Sequence, residues 1–383
     1  MRKVVLILAI AAAFHACSEP SSLVNNPVDY VNPFIGASTS TDAAGVYHGL
    51  GKTFPGATTP FGMVQVSPNT ITGGDNASGY SYEMKTIEGF DFTQMSGVGW
   101  FGDLGNFLVM PTTGPMSTIA GKEDGSIDGW RSSYDKATEV AEPGYYSVRL
   151  TDYDILAECS ATPHCGIIRF IWPESDLSRI QIDLARRVGG TAEKEYVKVI
   201  DSNTIEGWMK CTPKTGGWGN GEGNADYTVW FHAEFSRPLE SYGCWTADIP
   251  DDWVRKKDEV VSLPYLQRVA ESRIVRGVEE LEGKHIGFFS EFPTSAGDQV
   301  ILKLGISFVD QEGARRNFAE EIATRVLMRL GQVPWRFGIK SFPRFAWPEG
   351  RKTIKQCFTL LSIILLSILG SMLMLMVATS GEI

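Results

Sequence analysis

Signatures of metal binding and nucleophilic catalysis are missing from this sequence. Its six cysteines, at 17, 159, 165, 211, 244 and 357, form no Cys-x-x-Cys pair and no zinc spacing. With five histidines in the chain, His48, His164, His232 and His285 show neither an HExxH motif nor another metal-ligand interval. No Gly-x-Ser-x-Gly elbow is present, which removes the commonest hydrolase nucleophile motif. Gly45–Thr53 imitates a phosphate-binding loop, but five residues separate Gly45 from Gly51 where four are needed. Positive charge is scarce. Lys and Arg total 35 against 45 Asp and Glu, a net charge of −10. This argues against a nucleic-acid partner, as does the lack of a basic, aromatic-rich patch in the main body. Helical periodicity is scarce too: between Val28 and Asp310 only a short stretch around Asp252–Val260 has it.

Strand signals are plentiful. Tyr145–Leu150, Gly166–Trp172, Ile180–Leu184, Tyr227–Phe235 and Val300–Phe308 have strand length and β-branched or aromatic content. Turn residues such as Glu142-Pro143-Gly144 and Asn220–Asn224 separate them. The pattern predicts an all-β fold, a large antiparallel β-sandwich over about Val28–Phe308. Asp310–Ile322 changes period and predicts the start of a helix. Cys159 and Cys165 are expected in or beside strands as small buried residues. The four cysteines of the body leave pairing open, with no connectivity readable. His164 is expected to be structural rather than a ligand.

The chain is organised around Gly73–Pro111, with glycine at 73, 74, 79, 89, 97, 99, 102 and 105. Between them stand Tyr80, Tyr82, Phe90, Phe92, Trp100 and Phe101, with Asp75, Asp91 and Asp103. Glycine lets backbone approach a ligand, rings stack on apolar faces, and carboxylates bind hydroxyls. The plain alternative is a β domain whose turns need glycine and whose core needs aromatics. Together with VNPFIG at 31–36, GKTFPGATTPFGMVQVSP at 51–68 and the TPHCGIIRF segment at 162–170, the stretch resembles the N-terminal domain of the glycoside hydrolase family 92 α-mannosidases. The resemblance spans roughly residues 28–322, with its blocks in order.

That resemblance implies cleavage of terminal α-linked mannose with inversion, calcium dependence, and mannose-containing glycans as substrates. It implies that both catalytic carboxylates and most calcium ligands belong to a separate helical-barrel domain, to which Asp310–Ile322 leads. No catalytic or metal residue is therefore assigned here, and no calcium is expected on this part. The sandwich would supply one wall of the sugar pocket. In that wall Trp100 would stack on a sugar face, and Asp75 and Asp103 would accept hydroxyl hydrogen bonds. Gly73, Gly74 and Gly99 would admit close backbone approach, and Tyr80 would line the rim. Trp100 departs from the cysteine often found at its place in the family. The plain alternatives are turn caps for the aspartates and a core position for Trp100.

Both ends of the sequence read differently from the body. Met1–Ala16 has a short basic start and an apolar run, as a secretion signal does. Phe14-His15-Ala16-Cys17 resembles a bacterial lipoprotein cleavage site, which would make Cys17 the lipid-bearing residue and residues 17–27 a tether to the outer membrane. An ordinary signal peptide cut nearby is the alternative, and both export the protein. Residues 323–383 carry eight basic and two acidic side chains, +6, which leaves −16 for the rest. Phe358–Val377 is uncharged and long enough for a membrane helix. The preferred reading is a frameshift near Ala323. Read from the third base of the Arg336 codon, with synonymous codons chosen freely, the tail permits a YTALYHT…DPR…DVDG.Y.GGD run that resembles the family downstream of its linker helix. Three functions therefore compete: an exported family 92 α-mannosidase truncated to its N-terminal domain, a stand-alone carbohydrate-binding sandwich, and a membrane protein anchored by residues 358–377.

Overall fold

The computed structural model describes residues 31–38, 53–59, 61–70, 78–95, 103–188, 190–215, 226–250 and 263–323. Among them two large antiparallel sheets face each other. The first has eight strands in the order Ala57–Thr58, Gln65–Asn69, Gly89–Asp91, Leu108–Thr113, Ser175–Asp183, Ile286–Thr294, Ser241–Thr246 and Arg273–Arg276. The second has nine, in the order Glu280–Gly283, Lys194–Val199, Thr204–Cys211, Tyr227–Phe235, Gln299–Ser307, Cys165–Ile171, Ile155–Ala161, Tyr145–Leu150 and Val140–Glu142. Rings from the two inner faces meet between the sheets. Phe90 lies 6.4 Å from Phe170, Trp172 5.4 Å from Phe292, and Phe235 6.2 Å from Phe288. The expected sandwich is what forms.

The strand Tyr227–Phe235 shows why the sequence chooses this fold. Every second side chain, from Tyr227 to Phe235, is buried in the core, and Thr228, Trp230, His232 and Glu234 face outward. Its expected limits and those of Tyr145–Leu150 are the observed ones. Two other expected strands shift by one residue, to Cys165–Ile171 and Gln299–Ser307. The fifth begins earlier than expected, at Ser175. Arg179 and Gln181 disguise its start, because their polar side chains are buried on the outer face rather than exposed. Arg179 binds the Glu291 carboxylate at 2.7 Å, and Gln181 donates to the Ser117 carbonyl at 2.8 Å. The covered outer face also hides strands that the pattern did not reveal, among them Leu108–Thr113 and Ile286–Thr294.

Among the described residues two α-helices flank the sheets. Helix α1, Leu263–Ala270, buries Tyr265, Leu266 and Val269 over the eight-stranded sheet, and the Thr118 hydroxyl donates to the Val269 carbonyl at 2.7 Å. The helix expected around Asp252–Val260 lies outside the described residues. Helix α2, Gln311–Glu321, forms where predicted, with the Asp310 carboxylate accepting from the Gly313 amide at 2.6 Å as N-cap. It lies against the nine-stranded sheet at Gly305, where a Cβ would stand 2.9 Å from the Phe318 Cβ and 3.0 Å from the Ala314 carbonyl oxygen. Only glycine permits that approach. No described helix is long and apolar enough to cross a membrane. Residues 358–377, like 1–30, lie outside the described residues.

Candidate functional site

Gly73, Gly74 and Asp75, and likewise Gly99 and Trp100, fall in 71–77 and 96–102, outside the described residues. The chain on either side of both segments is described, and it converges. The Thr70 amide donates to the Gly79 carbonyl at 2.9 Å, and the Gly105 amide donates to the Thr93 carbonyl at 2.8 Å. Gly79 and Gly105 adopt φ of +71° and +74°. A Cβ on either would come within 2.9 or 2.8 Å of the Val188 side chain. The Val188 amide donates to the Leu104 carbonyl at 2.8 Å. Both glycine-rich stretches are thus footed on one hairpin, Arg186–Arg187 paired with Gly190–Thr191. The sequence reading had not singled this hairpin out.

Asp103 is buried in that footing. Its carboxylate receives Arg187 Nη1 at 2.9 and 3.2 Å, the Tyr227 hydroxyl at 3.1 Å and the Leu104 amide at 2.7 Å. Arg187 is buried as well and donates further to the carbonyls of Thr212 at 2.7 Å and Thr191 at 3.1 Å. Burial works against the guanidinium charge, but the Asp103 carboxylate outweighs it and holds Arg187 more firmly protonated than usual. In these contacts Asp103 anchors the end of the 96–102 segment from within.

Tyr80 does not line a rim. It is fully buried, its hydroxyl donates to the Glu139 carboxylate at 2.8 Å, and the Lys136 ammonium lies 3.0 Å from that oxygen. The Tyr146 hydroxyl shares the same carboxylate at 2.6 Å. Burial, reinforced by Glu139, pushes the Tyr80 phenol far above its usual range. A buried ring that finds a partner for its hydroxyl is more stable inside than on an edge.

Beneath the converging stretches runs a layer of buried charge. Glu88 sits between Arg131 and Arg186 and pairs with both. Asp91 accepts from Asn69 Nδ2 at 2.8 Å and from Gln94 Nε2. Burial drives its carboxyl up to about 8, against the pull of Asn69, Arg186 and Gln94, so it is largely protonated at neutral pH. Asp183 accepts from the amides of Ala185 at 2.8 Å and Arg186 at 3.1 Å, and burial raises it to about 6. Sequence reasoning missed Glu88, Asp183, Arg186 and Arg187. A signal was present: two consecutive arginines follow the strand Ser175–Asp183 after only Leu184 and Ala185, and arginines held so close to the core need carboxylate partners.

Among the described residues no group of three His, Cys, Asp or Glu side chains is placed to hold a metal ion. The charge-layer carboxylates Glu88, Asp91 and Asp183 are bonded to guanidinium, side-chain amide and backbone N–H donors.

Residues 30–307 match the model of the glycosyl hydrolase family 92 N-terminal domain. The chain belongs to glycosyl hydrolase family 92. A family GH92 α-mannosidase from Bacteroides thetaiotaomicron superposes with a TM-score of 0.72 at 31% identity, over 88% of this chain and 41% of that one. A structure of that enzyme in complex with mannoimidazole superposes with a TM-score of 0.72 at 30% identity, over 88% of this chain and 40% of that one. An inverting family GH92 mannosidase from the same species shares the fold at 19% identity and a TM-score of 0.66, over 89% of this chain and 39% of that one. A protein of Arthroderma benhamiae described as an uncharacterized secreted glycosidase is 29% identical over 130 residues, 33% of this chain and 16% of that protein. The chain therefore spans about two fifths of the length of the solved relatives.

In this family 92 domain the TPHCG block has a structural role. His164 Nδ1 lies 2.5 Å from Glu321 of helix α2, and the His164 amide donates to the same carboxylate at 2.9 Å. Cys159, Cys165, Cys211 and Cys244 are buried. Burial pushes the thiols of Cys211 and Cys244 up to about 12, so they behave as small apolar residues rather than nucleophiles.

Proposed function

We propose that this chain is the substrate-contacting N-terminal part of an exported α-mannosidase that removes terminal α-linked mannose from glycans with inversion of configuration. The observation that carries the reading is the likeness over 88% of the chain, at 31% identity, to a family GH92 α-mannosidase. The mannoimidazole complex of that relative supports a mannose-like ligand. Export rests on the apolar segment Met1–Ala16 and on the relative described as secreted, and an outer-membrane lipid on Cys17 extends the same reading.

Inverting hydrolysis needs an acid at the leaving oxygen and a carboxylate that activates water on the opposite face, roughly 6.5–9.5 Å apart. Glu88, Asp91 and Asp103 do not serve, because each is buried and bonded within the sandwich. Their work is to hold the hairpin on which 71–77 and 96–102 are footed. From that footing Gly73, Gly74 and Gly99 admit the sugar, Asp75 binds a hydroxyl and Trp100 stacks on a ring face. On this reading the acid and base belong to a helical catalytic domain, which would also hold the calcium. The chain as it stands is expected to release no mannose from α-mannosides, with or without calcium. In an enzyme completed by restoring the reading frame and the downstream domain, Trp100→Ala should lower kcat/KM by about tenfold or more, because stacking and positioning are lost together. Calcium-dependent mannose release by the chain alone, or full activity of the folded Trp100→Ala enzyme, would refute the assignment.

A further inference from the structure

Exposed apolar side chains scattered singly over a protein need no partner. Two of them here share one end of the sandwich. Val309 is 69% exposed and Phe61 56% exposed, the highest values for large apolar side chains among the described residues. Backbone hydrogen bonds bring their loops together. The Met63 amide donates to the Pro163 carbonyl at 2.6 Å, and the Ile306 amide donates to the His164 carbonyl at 3.0 Å. The 162–164 loop therefore stands between the turn that carries Phe61 and the chain that leads to Val309. Phe61 also holds a φ of +60°, in the left-handed region that bulky side chains seldom enter. Asparagine or glycine would sit there at lower backbone cost. What phenylalanine adds at that cost is an exposed ring.

Contacts on either side of the Phe61 turn indicate what this end faces. Gln65 Nε2 donates to the Gly62 carbonyl at 2.8 Å, and Gln65 Oε1 accepts from the Gln94 amide at 3.0 Å. The Phe61 turn is thereby tied to the chain that enters 96–102, the second glycine-rich stretch of the sugar wall. On its other side lies the end of helix α2. The Glu321 carboxylate accepts from the His164 amide at 2.9 Å and is bonded to the Thr162 hydroxyl, so the chain beyond α2 sets out beside Pro163. This protein spans 41% of a solved relative, and the larger part of that relative has no counterpart in it. A ring held out to solvent on a strained backbone is accounted for by a domain whose own chain starts beside it and which would also close the sugar wall. We propose that the end of the sandwich bearing Phe61 and Val309 is the docking face for the domain that follows helix α2, with the Phe61 ring as its apolar anchor. This docking requires the chain to be the N-terminal part of a larger enzyme, as proposed above, but not that the enzyme cleave mannose.

The test compares hydroxyl-radical footprinting of the whole chain with that of the enzyme completed by restoring the reading frame and the downstream domain. Phe61 should be oxidised readily in the chain alone and at least about fivefold more slowly in the completed enzyme, where the interface excludes water. Phe61→Asn suits the left-handed backbone, and Val309→Gln replaces a solvent-facing side chain. Together they should leave the Tm of the chain alone within about 1 °C and lower that of the completed enzyme by about 2 °C or more. Mannose release by the same completed enzyme reads the functional assignment separately. An inactive enzyme that protects Phe61 keeps the docking face, and an active one that leaves Phe61 open loses it. Equal oxidation of Phe61 in the two proteins, or an equal change of Tm in both, would overturn the proposal. So would a dimer of the chain alone, seen by sedimentation, that protects Phe61 and is dissolved by Phe61→Asn, since the face would then belong to a second copy.

Discussion

Asp103 and Arg187 are both fully buried, 84 residues apart in sequence and 2.9 Å apart in space. Such a pair adds little net stability over apolar residues of the same shape, but losing one partner leaves a buried charge uncompensated. Asp103→Leu is therefore expected to cost about 3–5 kcal/mol in urea unfolding, and Asp103→Leu with Arg187→Met to recover most of that. A single-variant loss below about 1 kcal/mol would mean that the pair does not anchor the hairpin. Glu88 differs, since two guanidinium groups, those of Arg131 and Arg186, share it. A buried carboxylate thus holds a single guanidinium in one place and is shared by two in another. The protein around each carboxylate, not its sequence neighbours, decides which.

Helix α2 is tied to the nine-stranded sheet by two carboxylates. Glu206 on the sheet receives Arg315 Nε and Nη2, each at 2.6 Å, and lies 2.7 Å from His232 Nδ1. Glu321 on the helix is held by His164 and by the Thr162 hydroxyl. For both, burial opposes ionisation, yet these partners prevail and hold the carboxyl below its ordinary 4.5. A carboxyl lowered on folding contributes stability that is complete above its unfolded value and is lost as pH falls through the folded one. Amide exchange of Gln311–Glu321 should therefore be protected at neutral pH. On acidification below the ordinary carboxylate range it should lose protection before the strands Tyr227–Phe235 and Gln299–Ser307 do. If helix and strands lost protection together at every pH, the clasp would not be the weak point. Phe318, packed with Cys165, Ile167 and Ile322, supplies the part of the docking that does not titrate.

The described residues stand on apolar packing between two sheets, in which Cys159, Cys211 and Cys244 take part as apolar residues, while Cys165 packs beneath helix α2. Reductant is therefore expected to leave Tm unchanged, and a thiol reagent to label Cys159, Cys165, Cys211 and Cys244 only as the chain unfolds. A Tm lowered by reductant, or fast labelling of these four in the native state, would contradict that. At this scale the family 92 likeness and the geometry agree. Gly79 and Gly105 pack on Val188 of one hairpin, and a clasped helix begins after the last strand, Gln299–Ser307.

By itself the sequence determined the sandwich, the exact run of Tyr227–Phe235, the helix opening at Asp310 and the family. Alternation of apolar side chains, a capping aspartate and ordered sequence blocks are all local, and neighbouring residues carry them. It did not determine the burial of Tyr80, the shared footing of Gly79 and Gly105 on Val188, or the opposite assignments of Arg186 and Arg187. Those depend on which strands become neighbours and in what register, a choice made by the packing of the whole core. Glu139 meets the Tyr80 hydroxyl from 59 residues away, and Arg187 meets Asp103 from 84. No local pattern encodes such pairings, because a buried carboxylate is stabilised only by partners that the folded chain brings to it.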